Sequence, residues 1–448
     1  MKKYIIAAFS MILAAGATQA QQKWSLEQCI DYALKNNITI KSAELTTTAQ
    51  KIKHQQAKNQ RLPNLTGSSS GSVNFGQSLN SKNTYENKNT KRYEFGLNSS
   101  LPLFTGFQIK NSIKVQEFNL LATFEDLKKA RESISVNIAS AYLQVLLNKE
   151  LYQVALEQVK LSQTQVTRYE SMASLGKIPE GQVFEARAQL AKDKFSATES
   201  LSNLQLSLLD LSQLLDLKEW SNFDIAAPSI DMQALTLNIQ PADEVFNYAV
   251  ANKSTVKASE FRLNSSENSL KVSEGARYPK LSLWGSYSNR YYPDARSIDA
   301  VTGDEYKISF SKQLDINAGT AFGLSLNIPI FNRFDTRNNI KLSKIDVENA
   351  RLEVDNTKKT LYKEIQQAWF NAKTASEKFQ ASTETVLNSE EAYRFAEEKF
   401  NNGRATIYEF NEAKMNLASA KSNQLQAKYN YLFSVKILDF YKGETLHL

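Results

Sequence analysis

The chain has 448 residues, of which 42% are hydrophobic and 23% are charged, and its formal net charge is +7. A single cysteine, Cys29, excludes an intrachain disulfide framework and a multi-thiolate metal site, and only two histidines give little support to a His-based zinc site or catalytic triad. The charges are interspersed, so they indicate solvated helix faces and argue against nucleic-acid binding.

The first twenty residues have the pattern of a secretory signal peptide. Lys2 and Lys3 precede a short apolar stretch at 5–17, and Thr18 and Ala20 supply small residues before a cleavage site. The apolar stretch is shorter than the roughly 20 residues that span a membrane, and no other segment reaches that length. We therefore expect an exported protein that enters a membrane, if at all, as β-strands.

Two copies of one unit account for nearly the whole remaining chain. The residues RLPNL at 61–65 recur as RYPKL at 277–281, and FGL at 95–97 recurs at 322–324. The predicted elements are a first repeat at 21–217 (helix, β-hairpin 64–104, long helix 105–174, return helix 179–217), a connector at 218–240, and a second repeat at 241–448 (helix, β-hairpin 280–331, long helix 332–401, return helix 406–441).

The two long helices carry apolar and small side chains at a sustained 4-3 spacing, from Ile134 to Tyr169 and from Leu361 to Phe400. This 3.5-residue period is typical of coiled-coil packing. About 65–70 residues of helix correspond to roughly 100 Å at 1.5 Å per residue, so we expect an elongated molecule.

The segments between the helices alternate apolar and polar residues with a period of two. The clearest are 95–103, 281–287 and 322–330, where the last segment includes Ile328 and Ile330. Their length suits strands that cross an outer membrane, although the edge of a soluble β-sandwich also alternates. Four strands cannot close a barrel and lipid does not tolerate an open edge, so closure requires several chains, and three would supply 12 strands. The polar segments 78–90 and 293–305 are predicted to be exposed loops.

This duplicated order, with Pro-Xaa-Phe strand exits at 102–104 and 329–331 and Gly turns between the helices, resembles the TolC family of outer-membrane efflux proteins over essentially the whole chain. The resemblance implies a mainly α-helical homotrimer. A 12-stranded transmembrane β-barrel, with four strands per chain, would continue into an α-helical coiled-coil tunnel, and 218–240 would join an equatorial belt. The resemblance also implies the outer membrane of a Gram-negative bacterium, with a long periplasmic portion in contact with a periplasmic adaptor (membrane fusion protein).

Candidate site residues cluster at the turns between the helices. Gly turns suit the ends of helices because glycine readily adopts the left-handed conformation. The resemblance implies that these turns dock the adaptor, through Gly176, Lys177, Asn402, Gly403 and Arg404.

Just beyond the second turn, Glu409 and Glu412 share one face of the return helix, and a solvated face would explain them equally well. The resemblance instead implies a periplasmic entrance constriction made by Glu409, Glu412, Gln182, Glu185, Phe400 and Arg404. In that family, the constriction also uses a basic residue that contacts a neighbouring helix, and this chain has Ala405 at the corresponding position. Arg404, Lys177 or Arg168 are the candidates to replace it.

The sequence therefore predicts a passive exit duct for a tripartite efflux or type I secretion system, working with an inner-membrane pump of the RND or ABC type and embedded in outer-membrane lipid. No catalytic residues, cofactor or metal site are predicted, and an enzyme is the least supported class. The alternative is an exported structural or adhesive coiled-coil protein that uses the helices as spacers. The transported substrate, whether drug, metal, siderophore or protein, stays open.

Overall fold

The computed structural model describes residues 23–79, 83–228 and 240–447. The predicted signal peptide and residues 229–239 of the predicted connector lie outside the described residues. The described part is mostly helical with a smaller β portion, as predicted. Its elements are α1 (Leu26–Asn36), α2 (Ile38–Asn59), β1 (Asn64–Asn74), β2 (Gln77–Leu79), β3 (Tyr85–Asn87), β4 (Thr90–Phe104), α3 (Gln108–Ser174), α4 (Glu180–Leu214), α5 (Ala242–Asn252), α6 (Ser254–Gly275), β5 (Lys280–Tyr291), β6 (Arg296–Ile298), β7 (Glu305–Lys307), α7 (Phe310–Ile316), β8 (Gly319–Asn327), α8 (Asp335–Asn401) and α9 (Ile407–Tyr441).

Helices of equal length occur in both halves of the chain. The helices α1 and α5 have 11 residues, α2 and α6 have 22, α3 and α8 have 67, and α4 and α9 have 35. These lengths are what the predicted repeat requires, although the repeat itself stays a prediction.

Both long helices begin slightly later than the sequence predicts, at Gln108 and Asp335. The two residues before each helix have positive φ angles, which are 62° and 63° at Gly106 and Phe107 and 56° and 65° at Arg333 and Phe334. A left-handed residue cannot extend a right-handed helix, so each strand exit turns sharply before its helix starts.

The chain divides into two compact units. Among the described residues, the helical unit consists of 23–46, 124–228, 240–258 and 355–447, and the strand unit consists of 47–79, 83–123 and 259–354. In the helical unit, every residue of the predicted 4-3 series on α3 and on α8 is buried or half-buried. The series therefore faces the protein interior, as its period indicates. No helix in the described part of the chain combines the length and the apolar character needed to cross a membrane.

The strand unit contains one four-stranded antiparallel sheet in the order β1-β4-β5-β8. Leu283 lies between Leu101 on β4 and Leu324 on β8, so leucines share one face of the sheet. The prediction was wrong for Ile328 and Ile330, because β8 ends at Asn327. Asn327 pairs with Lys280, the first residue of β5, so the residues after Asn327 have no partner on β5.

The two predicted loops contain secondary structure of their own. The strands β2 and β3 form a small hairpin after β1, and β6 and β7 form another after β5. Only the second connection also contains a helix, α7, among the described residues. The sequence predicts exposed polar loops at 78–90 and 293–305, and α7 lies beyond the second of them, at a position for which no helix is predicted.

Candidate functional site

The turns that end α3 and α8 have the same backbone geometry. Gly176 has a φ of 67°, its N–H donates to the carbonyl of Ala173 at 2.8 Å, and the N–H of Lys177 donates to Met172 at 2.9 Å. This pair of bonds is a Schellman motif. The second turn repeats it, with φ 69° at Gly403 and bonds from Gly403 to Phe400 at 3.0 Å and from Arg404 to Lys399 at 2.8 Å.

Steric crowding does not explain why glycine occupies these two turns. A Cβ atom built on Gly176 or Gly403 would meet no other atom within 4 Å, so the positive φ angle alone favours glycine there. The neighbouring side chains of Leu175, Lys177, Asn402 and Arg404 are exposed. The predicted adaptor-docking residues therefore lie on two exposed turns.

Glu409 has a local structural role that the sequence analysis did not assign. Its side chain accepts hydrogen bonds from the backbone N–H of Thr406 at 2.7 Å and from the Thr406 hydroxyl at 3.0 Å, while the N–H of Glu409 donates to that hydroxyl at 3.2 Å. This capping box begins α9, whereas α4 begins after Pro179 without a side-chain cap. The bond from the Thr406 backbone is the largest cause that lowers the pKa of Glu409.

Glu409 and Glu412 line one groove between α8 and α9. The groove is lined by Thr385, Asn388, Ser389, Ala392, Glu409, Glu412, Ala413 and Asn416. Both glutamates are exposed, and the small side chains opposite them leave the groove open to solvent. Gln182 and Glu185 lie on α4 and are not part of this groove, so within the chain the four residues do not form one cluster.

Phe400 packs among other aromatic side chains. Its ring stacks on Phe410 with centroids 4.9 Å apart and lies 6.1 Å from the ring of Tyr169. It also contacts the apolar cluster formed by Val166, Tyr169, Val183, Ala186 and Leu190. Phe400 thus joins α8 and α9 to α3, which fits the packing that its helical spacing predicts.

Arg404, Lys177 and Arg168 are the candidates to replace the basic residue that is absent at Ala405, and one of them, Arg168, links two helices. Arg168 on α3 donates from Nη1 to Oδ1 of Asn401 on α8 at 2.6 Å. Lys177 and Arg404 are exposed, and within the described residues no hydrogen bond or ion pair of their side chains is present. Arg168 therefore ties the two helix pairs close to their turns.

A buried charged cluster near the turns escaped the sequence analysis. Lys414 on α9 is only 3% exposed, and its ammonium group lies 2.9 Å from a carboxylate oxygen of Asp193 on α4. It also donates to Ser162 on α3, whose hydroxyl donates to Asp193. Gln189 donates to the other oxygen of Asp193 at 2.7 Å. One sequence signal was present, because Phe410 and Lys414 lie four residues apart on the buried side of α9.

Metal binding finds no support in the described residues. Across 23–79, 83–228 and 240–447, no three His, Cys, Asp or Glu side chains are grouped so that they could hold a metal ion.

Comparison with known proteins places the chain among outer-membrane proteins. The model of the family described as outer membrane efflux protein matches residues 29–216 and 245–444. Toxin and drug export protein A of Aggregatibacter actinomycetemcomitans is 21% identical over 409 residues, which cover 91% of this chain and 83% of that protein. Outer membrane efflux protein BepC of Brucella suis biovar 1 is 21% identical over 429 residues, which cover 96% of this chain and 87% of BepC.

The fold agrees with that of solved channels. The crystal structure of the CmeC outer membrane channel of Campylobacter jejuni superposes with a TM-score of 0.78 at 20% identity, covering 95% of this chain and 86% of CmeC. The predicted resemblance is confirmed by this family model, which matches two segments of the chain, and the chain belongs to the TolC family of outer membrane efflux proteins.

Proposed function

We propose that three copies of this chain form a passive exit duct in the outer membrane of a Gram-negative bacterium. The duct would receive its cargo from a periplasmic adaptor and an inner-membrane pump, as one part of a tripartite efflux or type I secretion system. The strands would lie in lipid and the turns at Gly176 and Gly403 would face the periplasm. The observation that carries the proposal is a four-stranded sheet with an exposed apolar face and, within the described residues, two unpaired edges.

The sheet supports assembly from several copies. Within the described residues, the strands β1 and β8 each pair with a single neighbouring strand of the sheet. On the apolar face, Leu97, Phe322 and Leu324 are 47%, 80% and 65% exposed. Such a face suits lipid, but lipid offers no partner to unpaired backbone groups at the edges. Pairing β1 of one copy with β8 of the next removes both edges, and three copies give 12 strands.

Two exposed apolar stripes support the same assembly. The helix α2 exposes Ile38, Leu45 and Ile52, which repeat every seven residues. The helix α8 exposes Leu342, Ile345 and Leu352, again at heptad positions. Heptad stripes are the pattern by which helices pack in coiled coils, so we propose that α2 of one copy packs against α8 of the next.

The entrance is assigned to the groove that contains Glu409 and Glu412. Three copies would place six carboxylates around one opening, with Gln182, Glu185, Phe400 and Arg404 on the neighbouring surfaces. A ring of negative charge attracts cations and repels itself, so it would favour cation passage and resist tight closure. The exposed turn residues Lys177, Asn402 and Arg404, with Gly176 and Gly403, are proposed to contact the adaptor.

Reconstitution tests the duct. Purified full-length protein is expected to be trimeric in detergent by mass measurement and to conduct ions with a bias toward cations in a planar bilayer. A monomer without conductance, released from cell envelopes by salt alone, would contradict the proposal and favour the coiled-coil spacer.

A pair of variants tests the entrance. Glu409→Gln combined with Glu412→Gln is expected to weaken block by multivalent cations, because it removes the proposed ring of charge. Glutamine at 409 can still accept the bond from Thr406, so the cap of α9 is retained. Glu199→Gln, at an exposed position of α4 outside the proposed constriction, is the matched control and is expected to leave the block unchanged. Unchanged block in the double variant would place the entrance charges elsewhere.

A further inference from the structure

We infer that α7 is an interfacial helix that rests on the membrane surface beside the sheet, with its exposed apolar side chains in contact with lipid. The inference rests on the proposed function, because it assumes that the apolar face of the sheet lies in the membrane. It adds a lipid contact outside the strands, on a helix within the second loop.

The helix α7 and the residue after it bind the end of β5 that extends beyond its pairing with β8. The first pair of the β5–β8 ladder at this end joins Ser288 to Gly319, so Arg290 and Tyr292 extend beyond β8. Asn317 donates from its side chain to the carbonyl of Arg290 at 2.8 Å. Gln313 donates to the carbonyl of Tyr292 at 3.0 Å and accepts from its N–H at 2.9 Å. Side-chain amides thus replace ladder bonds and fix α7 to β5.

The helix lies on the apolar face of the sheet. Asn289 is 3% exposed and donates to the carbonyl of Leu314 in α7 at 2.7 Å. Alternate residues of a strand share a face, so Asn289 lies on the same side of β5 as Leu283 and Tyr287. Leu283 pairs with Leu324, which places this side on the face proposed to meet lipid.

Aromatic side chains connect this face of the sheet to α7. Tyr93 on β4 stacks with Tyr291 on β5, with centroids 6.2 Å apart, and Tyr291 meets Phe310 of α7 edge-to-face at 4.8 Å. Tyr93 and Phe310 remain 43% and 50% exposed. An aromatic row at the end of apolar strands is typical of the membrane–water boundary.

The outer side of α7 suits a lipid surface. Lys312 and Ile316 are four residues apart and therefore lie next to each other on the helix surface, where both are exposed. Ile316 is 54% exposed and the Lys312 side chain is 64% exposed. An apolar side chain next to a lysine fits the level of the headgroups, where the alkyl group enters the acyl boundary and the ammonium, which lies 3.4 Å from the exposed Asp315, exchanges this solvated partner for lipid phosphate. These features favour a lipid surface over a second protein copy.

Spin labelling of the full-length protein tests the inference. Ile316→Cys, Leu324→Cys and Val301→Cys are made in a Cys29→Ala background, labelled, and reconstituted into vesicles of phosphatidylethanolamine and phosphatidylglycerol. Val301 is 94% exposed in the turn between β6 and β7 and serves as the water control, while Leu324 tests the sheet itself. Collision of the label with oxygen and with a water-soluble nickel chelate is measured. Each variant must conduct like the parent protein.

The expected result is that oxygen collisions dominate at 324, nickel collisions dominate at 301, and position 316 resembles 324 rather than 301. Nickel-dominated collisions at 316 together with oxygen-dominated collisions at 324 would overturn the inference and leave the proposed function standing. Low accessibility of 316 to both reagents would also overturn it, since this result indicates a protein contact. Nickel-dominated collisions at 324 would instead refute the membrane position of the sheet.

Discussion

The buried pair of Lys414 and Asp193 gives the strongest prediction about stability. The substitution Lys414→Met removes the ammonium group and keeps most of the length and apolar stem of the side chain. It leaves Asp193, whose side chain is 13% exposed, without its charged partner. Removing one partner of a buried ion pair costs about 3 to 5 kcal/mol. Asp193 would retain bonds from Ser162 and Gln189, so the lower end applies, about 3 kcal/mol.

Hydrogen exchange measures this cost locally. A loss of about 3 kcal/mol corresponds to roughly 150-fold faster exchange of the α9 amides around residue 414 where exchange reports the opening equilibrium, since each 1.4 kcal/mol is a factor of ten. The double variant Lys414→Met/Asp193→Asn contains neither charge and is expected to stay within about 1 kcal/mol of the parent protein.

The matched control is Arg187, which is the eighth residue of α4 as Lys414 is the eighth residue of α9. Its side chain is 55% exposed and lies 2.6 Å from Glu170, which is 43% exposed. An exposed pair of this kind contributes about 0 to 1 kcal/mol, so Arg187→Met is expected to change exchange less than roughly fivefold. The reasoning fails if both single variants behave alike, or if the double variant is as unstable as Lys414→Met.

Three further outcomes are expected. Gly403 has a left-handed φ, so Gly403→Ala should destabilise the turn by about 1 to 2 kcal/mol. Gly181 has an ordinary φ and no neighbouring atoms in the way of a Cβ, so Gly181→Ala should stabilise α4 by about 0.4 to 1 kcal/mol. Chemical unfolding measures both changes. Cys29 is fully buried, and burial raises its pKa to about 12, so a maleimide at neutral pH should label it only after denaturation. The bonds from Thr406 lower the pKa of Glu409, so its cap on α9 holds at neutral pH and weakens as the pH falls through this lowered pKa. At such acidic pH, hydrogen exchange of the Thr406 amide should be faster in the parent protein than in Glu409→Gln, because the glutamine side chain does not titrate.

Local periodicity predicted the helices and strands because each pattern reports the side on which one element is buried. The 4-3 series from Ile134 to Tyr169 needs no knowledge of its partner helix to show its buried side. The same reasoning failed at Ile330, where alternation continues past the strand although its partner β5 begins at Lys280, opposite Asn327. The period of one segment does not report where the partner strand begins.

The site was harder to predict, because its contacts join distant segments. Lys414 and Asp193 are 221 positions apart, and no local pattern connects them. The capping box of α9 is different, since Thr406 and Glu409 are three residues apart and their types alone indicate an N-terminus.

The cap and the proposed entrance charge at Glu409 are compatible, and the cap makes the charge more persistent. The bonds from Thr406 favour the ionised carboxylate, so Glu409 stays negative to lower pH than an unbonded glutamate would. They also hold the carboxylate at the start of α9, where the helix dipole favours negative charge. The helix α4 has Gln182 at the matching position and no side-chain cap after Pro179. Each of the two helices has one glutamate in its first turn, Glu180 on α4 and Glu409 on α9, and only the charge at Glu409 is fixed by a cap. We therefore expect the cap-stabilised charge of the entrance to lie on the groove between α8 and α9.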